Sequence, residues 1–237
     1  MNTLIDNSIS VLMCTYYKDN INHFHEAINS LKIQSKYIDE LVIIKNGNLL
    51  PQHNSIIEEA KKHINIKIRA LKKNVGLAKA LNKGLEDVSC KWVARFDSDD
   101  ICCKNRFKDI KNKINLYGEN FDVFGGLCEE FDKRIGDLKI IRKVPLDQNN
   151  IKNRLIISNP LNHVTVVFKK ELYKKISKEN KDFYPLIDGF EDYALWTKLL
   201  YNNIRFKNFY VIYVFVRVGN NMYGRRGGLK YIINELK

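Results

Sequence analysis

Two hydrophobic periods alternate through the first hundred residues, and that alternation narrows the fold more than any other feature. Ile9 to Thr15, Glu40 to Lys45, Ile66 to Leu71 and Trp92 to Phe96 are short, largely apolar runs. They read as strands. Between them, Asn22 to Gln34, Pro51 to His63 and Leu77 to Glu86 carry apolar residues at helical spacing, as in Phe24, Ala27, Ile28 and Leu31. Strands alternating with helices predict an α/β fold with a mostly parallel central sheet flanked by helices. Ligands of such sheets bind at the carboxyl ends of the strands. Thr15-Tyr16-Tyr17, Asn46-Gly47 and Asp97-Ser98-Asp99 all fall there.

The second half is less regular. Arg106 to Tyr117, Asn149 to Ile157 and Glu191 to Tyr201 read as helices. Phe121 to Cys128, Leu138 to Val144, His163 to Phe168 and Arg205 to Val218 read as extended, and Leu229 to Leu236 as a tail helix. No linker or repeat separates the halves, so one domain is expected over 1–237. Its 1–103 half would bind a nucleotide, its 104–228 half would add a second layer to the same cleft, and 229–237 would form a C-terminal helix that ends the chain.

The strand at Trp92 ends on Asp97-Ser98-Asp99-Asp100. If extension persists, Asp97 and Asp99 share a face. Two like charges so close become tolerable beside a divalent cation, and hard oxygens suit Mg²⁺ or Mn²⁺. A substrate diphosphate can fill the ion's open positions. The plainer alternative is an acidic loop with Asp100 capping the next helix. The run alone does not choose.

Other segments carry the same ambiguity. Asn74-Val75-Gly76 opens a helix that bears Lys79; Gly76 would admit a ligand close to the backbone, or Asn74 would simply cap the helix. Glu191 and Asp192 open a helix, where carboxylates are common for electrostatic reasons. Either could also serve as a general base. Arg225 and Arg226, between glycines, suit a diphosphate, a lipid headgroup or plain solvent. His163 reads as a hydrogen-bonded histidine. There is no G-x-x-x-x-G-K-[ST] or G-x-G-x-x-G loop, so phosphate charge must be met by metal or basic side chains.

Charge points the same way without deciding. Forty Lys and Arg against 27 Asp and Glu leave a net charge of +13, which suits an anionic partner. The lysines are spread over the chain, which disfavours a nucleic-acid-binding module. Five cysteines without a C-x-x-C pair argue against a disulfide framework or zinc site and for a reducing cytosol. The first residues lack the pattern of a signal peptide. The longest apolar run, Phe209 to Val216, is too short for a bilayer, which takes roughly 20 residues.

Taken in order, these segments resemble the inverting glycosyltransferases of family 2, with the GT-A fold, and most closely the amylovoran-type enzymes of bacterial surface polysaccharide. The resemblance rests on Ser10 to Tyr17, Asn74 to Asn82, Ala94 to Asp100, Asn162 to Thr165, Phe190 to Tyr193 and the arginine–glycine loop near Arg225. It covers nearly the whole chain. It implies that Thr15, Tyr17, Asn46, Asn74, Gly76, Lys79, Asp97, Ser98, Arg225 and Arg226 bind a nucleotide sugar, UDP-linked by expectation. It implies a metal on Asp99 and Asp97, a catalytic base in Asp192 and an acceptor-site role for Glu191. Where such enzymes often have an Asp after the second strand, this sequence has Asn46. It also ends soon after Lys230, so a longer C-terminal membrane element that some members carry is expected to be missing or trimmed.

The reaction so implied is a metal-assisted single displacement onto a saccharide or lipid-linked saccharide acceptor. The expected setting is cytoplasmic, with peripheral contact to an anionic membrane and no nucleic acid. A metal-dependent nucleotidyltransferase could use the same sheet, but would leave the Glu191-Asp192 helix start without a purpose.

Overall fold

Burial on both faces explains why the first strands are almost continuously apolar. In β1 (Ile9–Thr15), Ile9, Val11 and Met13 enter one core layer while Leu12 enters the other. In β2 (Glu40–Asn46), Leu41 and Ile43 face the first layer, Val42 and Ile44 the second. α1 (Ile21–Lys32) and α2 (Pro51–Ala60) cover the first layer through Phe24, Ala27, Ile28, Leu31 and Ile57. β3 (Ile66–Leu71) pairs parallel with β2. α3 (Leu77–Leu85) covers the second layer through Ala80, Leu81 and Leu85. β4 (Trp92–Arg95) pairs parallel with β1. The computed structural model describes residues 6–177, 182–187 and 189–219.

The chain then adds β5 (Ile101–Cys102), α4 (Arg106–Tyr117), β6 (Val123–Phe131), β7 (Ile140–Arg142) and α5 (Gln148–Leu155). β8 (Val167–Lys169), α6 (Lys170–Ser177), α7 (Glu191–Tyr201) and β9 (Phe206–Arg217) follow. One sheet runs β3-β2-β1-β4-β8-β6-β9-β5, with β7 on β6. β8 pairs antiparallel with β4 on one side and β6 on the other, welding the parallel first half to the second. β6 and β9 pair in parallel through a register shift that curls the sheet.

Several expectations are corrected. β4 stops at Arg95, so alternation does not carry to Asp97 and Asp99; the Arg95 side chain turns onto the Phe96 carbonyl and Asp97 instead. Asp100 caps no helix: it is buried and accepts from the Arg217 amide, and α4 begins after Asn105. Asn74 does not cap α3 either. Gly76 holds that place with φ of 84°, a left-handed conformation that favours glycine. His163 to Phe168 is not one strand: a 3₁₀ turn over His163–Thr165 precedes β8, closed by Thr165 donating to the Asn162 carbonyl from both its amide and its hydroxyl. The expected tail helix and the arginine–glycine loop, with Arg225 and Arg226, lie outside the described residues. No helix among the described residues is long and apolar enough to cross a membrane.

Candidate active site

The carboxyl ends of β1 and β4 meet through Asp19, a residue with no motif around it to single it out. Asp19 Oδ2 accepts the Thr15 hydroxyl at 2.8 Å, the Ser98 hydroxyl at 2.8 Å and the Tyr16 amide at 3.1 Å. Burial raises its carboxyl above the ordinary range, against those three hydrogen bonds. Thr15 and Ser98 are thereby fixed relative to each other. Tyr17 stands beside them, half exposed, with the Lys18 ammonium over its ring.

Two buried arginines support the loop beyond. Arg95 is 1% exposed and pairs with Asp97. Arg106, equally buried, donates from Nη2 to the carbonyls of Arg95 at 2.9 Å and Val164 at 3.1 Å. Arg217, the last residue of β9, closes the loop from outside: its amide donates to Asp100 Oδ1 at 2.9 Å and its Nε to the Asp99 carbonyl at 3.2 Å. The next described residues, Val218 and Gly219, therefore leave from beside Asp99.

Asp99 is left facing solvent. Crowding by the surrounding protein, then the negative charges of Asp97 and Asp19, raise its carboxyl to about 6. Among the described residues, no group of three or more His, Cys, Asp and Glu side chains is arranged to hold a metal. Asp97 and Asp99 still present hard oxygens from one loop, and a divalent cation would offset the charge that opposes ionisation of Asp99. Such a donor set fits Mg²⁺ or Mn²⁺ completed by substrate phosphate.

Across the sheet, α7 is anchored by Leu195, Trp196 and Leu199, all at most 1% exposed. That burial aims its first turn. Asp192 accepts from Asn159 Nδ2 at 2.7 Å and from the Tyr193 amide at 2.8 Å. Glu191 is buried, and burial raises its carboxyl, with Asp192 adding to the effect and Arg95 opposing it. Tyr184 joins the two sides. Its buried hydroxyl lies within electrostatic reach of Arg95, Asp192, Glu191 and Asp97 together, and 3.1 Å from His163 Nε2. His163 is thus the hydrogen-bonded histidine expected; burial, then the Arg95 charge, holds its pKa well below the ordinary value.

Asn46, Asn74 and Gly76 also come together, around one amide. Asn46 Nδ2 donates to Asn74 Oδ1 at 3.1 Å and to the Gly76 carbonyl at 3.4 Å, while its Oδ1 accepts the Val75 amide at 2.9 Å. Gly47, with φ of 94°, lets this turn approach: a side-chain carbon there would sit 3.1 Å from the Asn74 nitrogen. Lys79 points outward from α3 and is exposed.

A curled α/β sheet of this kind, with a D-x-D loop at a strand's carboxyl end, is the GT-A fold of nucleotide-sugar transferases. Residues 10–176 match the Glycosyl transferase family 2, and the chain belongs to that family. Its relatives include the UDP-Gal:alpha-D-GlcNAc-diphosphoundecaprenol beta-1,3-galactosyltransferase of Escherichia coli, 36% identical over 96% of this chain and 80% of that protein. Another is the amylovoran biosynthesis glycosyltransferase AmsE of Erwinia amylovora, 30% identical over 96% of this chain and 83% of that protein. Among solved structures, S. aureus TarS 1-349 in complex with UDP-GlcNAc superposes with a TM-score of 0.69 at 22% identity, over 89% of this chain and 58% of that one.

Proposed function

We propose that the chain transfers a sugar from a UDP-sugar to a lipid-diphosphate-linked saccharide, with inversion at the anomeric carbon, during assembly of a bacterial surface polysaccharide. The observation that carries this reading is one shared electrostatic neighbourhood: Arg95, paired with Asp97, acts on Glu191 as well, and Tyr184 feels Asp97, Glu191 and Asp192 together. The charges of the D-x-D loop and of the first turn of α7 thus act on the same groups. Support for the donor and acceptor comes from the E. coli relatives, named for UDP-Gal and UDP-Glc donors and GlcNAc-diphosphoundecaprenol acceptors.

Asp192 acts as the base. It takes the proton of the acceptor hydroxyl as that oxygen attacks the anomeric carbon, and the bond from that carbon to the donor's diphosphate breaks on the opposite face. Asn159 holds the carboxylate in place for this, and Glu191 shapes the acceptor side. On this reading Thr15, Tyr17, Asn74, Gly76, Lys79 and Ser98 bind the donor, and Arg225 and Arg226, which lie outside the described residues, neutralise its diphosphate. Asp99, with Asp97, would hold Mg²⁺ or Mn²⁺, which when bound stabilises negative charge on the leaving diphosphate. The setting is cytoplasmic and peripheral to the membrane, where the net charge of +13 favours anionic lipid.

Asp192→Asn is the decisive variant. It should lower the transfer rate by about 10²–10⁴-fold, the usual worth of a single base, while leaving donor affinity intact. Transfer from UDP-sugars to GlcNAc-diphosphate bearing a long alkyl chain, with the product linkage assigned by NMR, measures both rate and stereochemistry. Undiminished turnover in the variant, or a retained anomeric configuration, would refute the mechanism.

A further inference from the structure

Away from the cleft just described, an open cavity of about 460 Å³ lies against α5. Lys143 and Arg154 line it, with Asn153 and Ile157. Both cations are exposed, and neither pairs with a carboxylate among the described residues. The nearby Asp147 is already engaged: it caps α5, accepting the Asn150 amide at 3.0 Å and its Nδ2 at 2.6 Å. A guanidinium and an ammonium that line one cavity, neither of them paired there, suit an anion with several oxygens.

Beside this basic hollow the surface changes character. Ile156 and Ile157 are 83% and 80% exposed. They are adjacent, and the Ile157 amide is fixed to the Arg154 carbonyl at 3.0 Å. Ile157 lines the cavity and Ile156 is its chain neighbour, so two exposed aliphatic side chains lie beside the two cations, a place where an apolar chain attached to an anion could rest.

The cavity is also tied to the proposed base. The Leu155 carbonyl, at the end of α5, accepts the Tyr193 hydroxyl, and Asn159 donates to Asp192. The segment 155–159 thus runs from the cavity to the first turn of α7.

We infer that this cavity is the subsite for the diphosphate of the acceptor, with Lys143 and Arg154 on its oxygens and Ile156 and Ile157 against the first part of its lipid chain. The inference rests on the reading of the acceptor given above. It sets the acceptor's two ends: the sugar hydroxyl at Asp192, and the diphosphate one short segment away at α5.

The test compares two probes with the same sugar and alkyl chain: GlcNAc-diphosphate-alkyl and the phosphate-free GlcNAc alkyl glycoside. Equilibrium binding of each is measured first, on wild-type protein and on the Lys143→Ala/Arg154→Ala variant. Wild type should favour the diphosphate probe, and the variant should lose about 10- to 100-fold in affinity for it alone, as expected for lost hydrogen bonds to a charged group. In transfer assays the variant should raise KM for the diphosphate acceptor and leave KM for the UDP-sugar unchanged. Ile156→Ser should weaken long-chain diphosphate probes and spare a short-chain one. Equal losses on both probes, or none, overturn the inference. So does a variant that loses only its adsorption to anionic vesicles, which would make the face a membrane contact. Probe binding that discriminates without any sugar transfer would sustain the subsite and sink the proposed reaction instead.

Discussion

At the scale of single residues, Asp99 is where the fold is under electrostatic load. Its carboxyl, raised to about 6, binds a proton in the native protein more readily than in the unfolded chain. Between about pH 4 and 6 the native state therefore holds the extra proton, and stability falls as pH rises through that window. Above it, the ionised Asp99 costs of the order of 1 kcal/mol once solvent screening of an exposed group is allowed for. A bound divalent cation reverses the sign. Asp99→Asn should accordingly raise Tm slightly at pH 7.5 without metal and, on the metal role proposed for Asp99, remove the extra stabilisation expected from Mn²⁺ with UDP. In the wild type, that metal-dependent shift should fade below pH 6. Thermal denaturation over pH 5–8, with and without Mn²⁺, reads all three. A variant that keeps the full Mn²⁺ response would take Asp99 out of the metal site.

At the scale of elements, the β2 tip and the approach to α3 behave as one unit because Asn46 both donates and accepts. Its amide meets Asn74 Oδ1 and the Gly76 carbonyl, and its oxygen meets the Val75 amide. An aspartate could keep only the last of these, and would set a carboxylate against two oxygens. With Asn46 only 5% exposed, Asn46→Asp should cost about 1–3 kcal/mol. That corresponds to a fall in Tm of roughly 2–10 °C for a chain of this size. It should raise the KM of the UDP-sugar with little change in kcat; an unaltered Tm would show that the amide does not brace the loop. The same elements show what the sequence made legible. β1 to β4 and α1 to α4 could be read because each buries a face at its own period, as Ile9, Val11 and Met13 against Leu12 show. Asp19 could not, since its part in the site is made by Ser98, 79 positions away. Nor could the 3₁₀ turn at His163, where β-branched residues suggest a strand but Thr165 turns the chain by bonding Asn162. Asp192 could be picked out as a helix-opening carboxylate, while the contacts that aim it, from Asn159 and the buried face of α7, are tertiary.

At the scale of the whole molecule, the two halves of the sheet are fastened by similar means. In the first half, Glu40 is buried and would be raised by that burial. Hydrogen bonds from Lys67, Ser10 and Ser89 outweigh it and draw the carboxyl down to about 2. In the second, burial of Asp122 is outweighed by Arg205 and Lys169, and its carboxyl also falls to about 2. Asp122 thereby ties the approach to β6 to β8 and to the start of β9. Each depressed carboxyl contributes stability that is present above the ordinary carboxylate range and is lost as pH falls toward 2. β8, paired with β4 and β6 at once, makes the sheet continuous between these two points. If the chain folds as one domain, loosening either half must loosen both. Glu40→Gln and Asp122→Asn should each cost about 2–3 kcal/mol at pH 7, lowering a single unfolding transition by roughly 5–10 °C. The penalty should shrink as pH approaches 2, where the wild-type carboxyls are themselves protonated. Calorimetry over that pH range separates the cases: one transition that moves with either substitution means one cooperative unit. Two transitions, each answering to its own variant, would mean that the first and second halves of the sheet fold apart and meet only across β4 and β8.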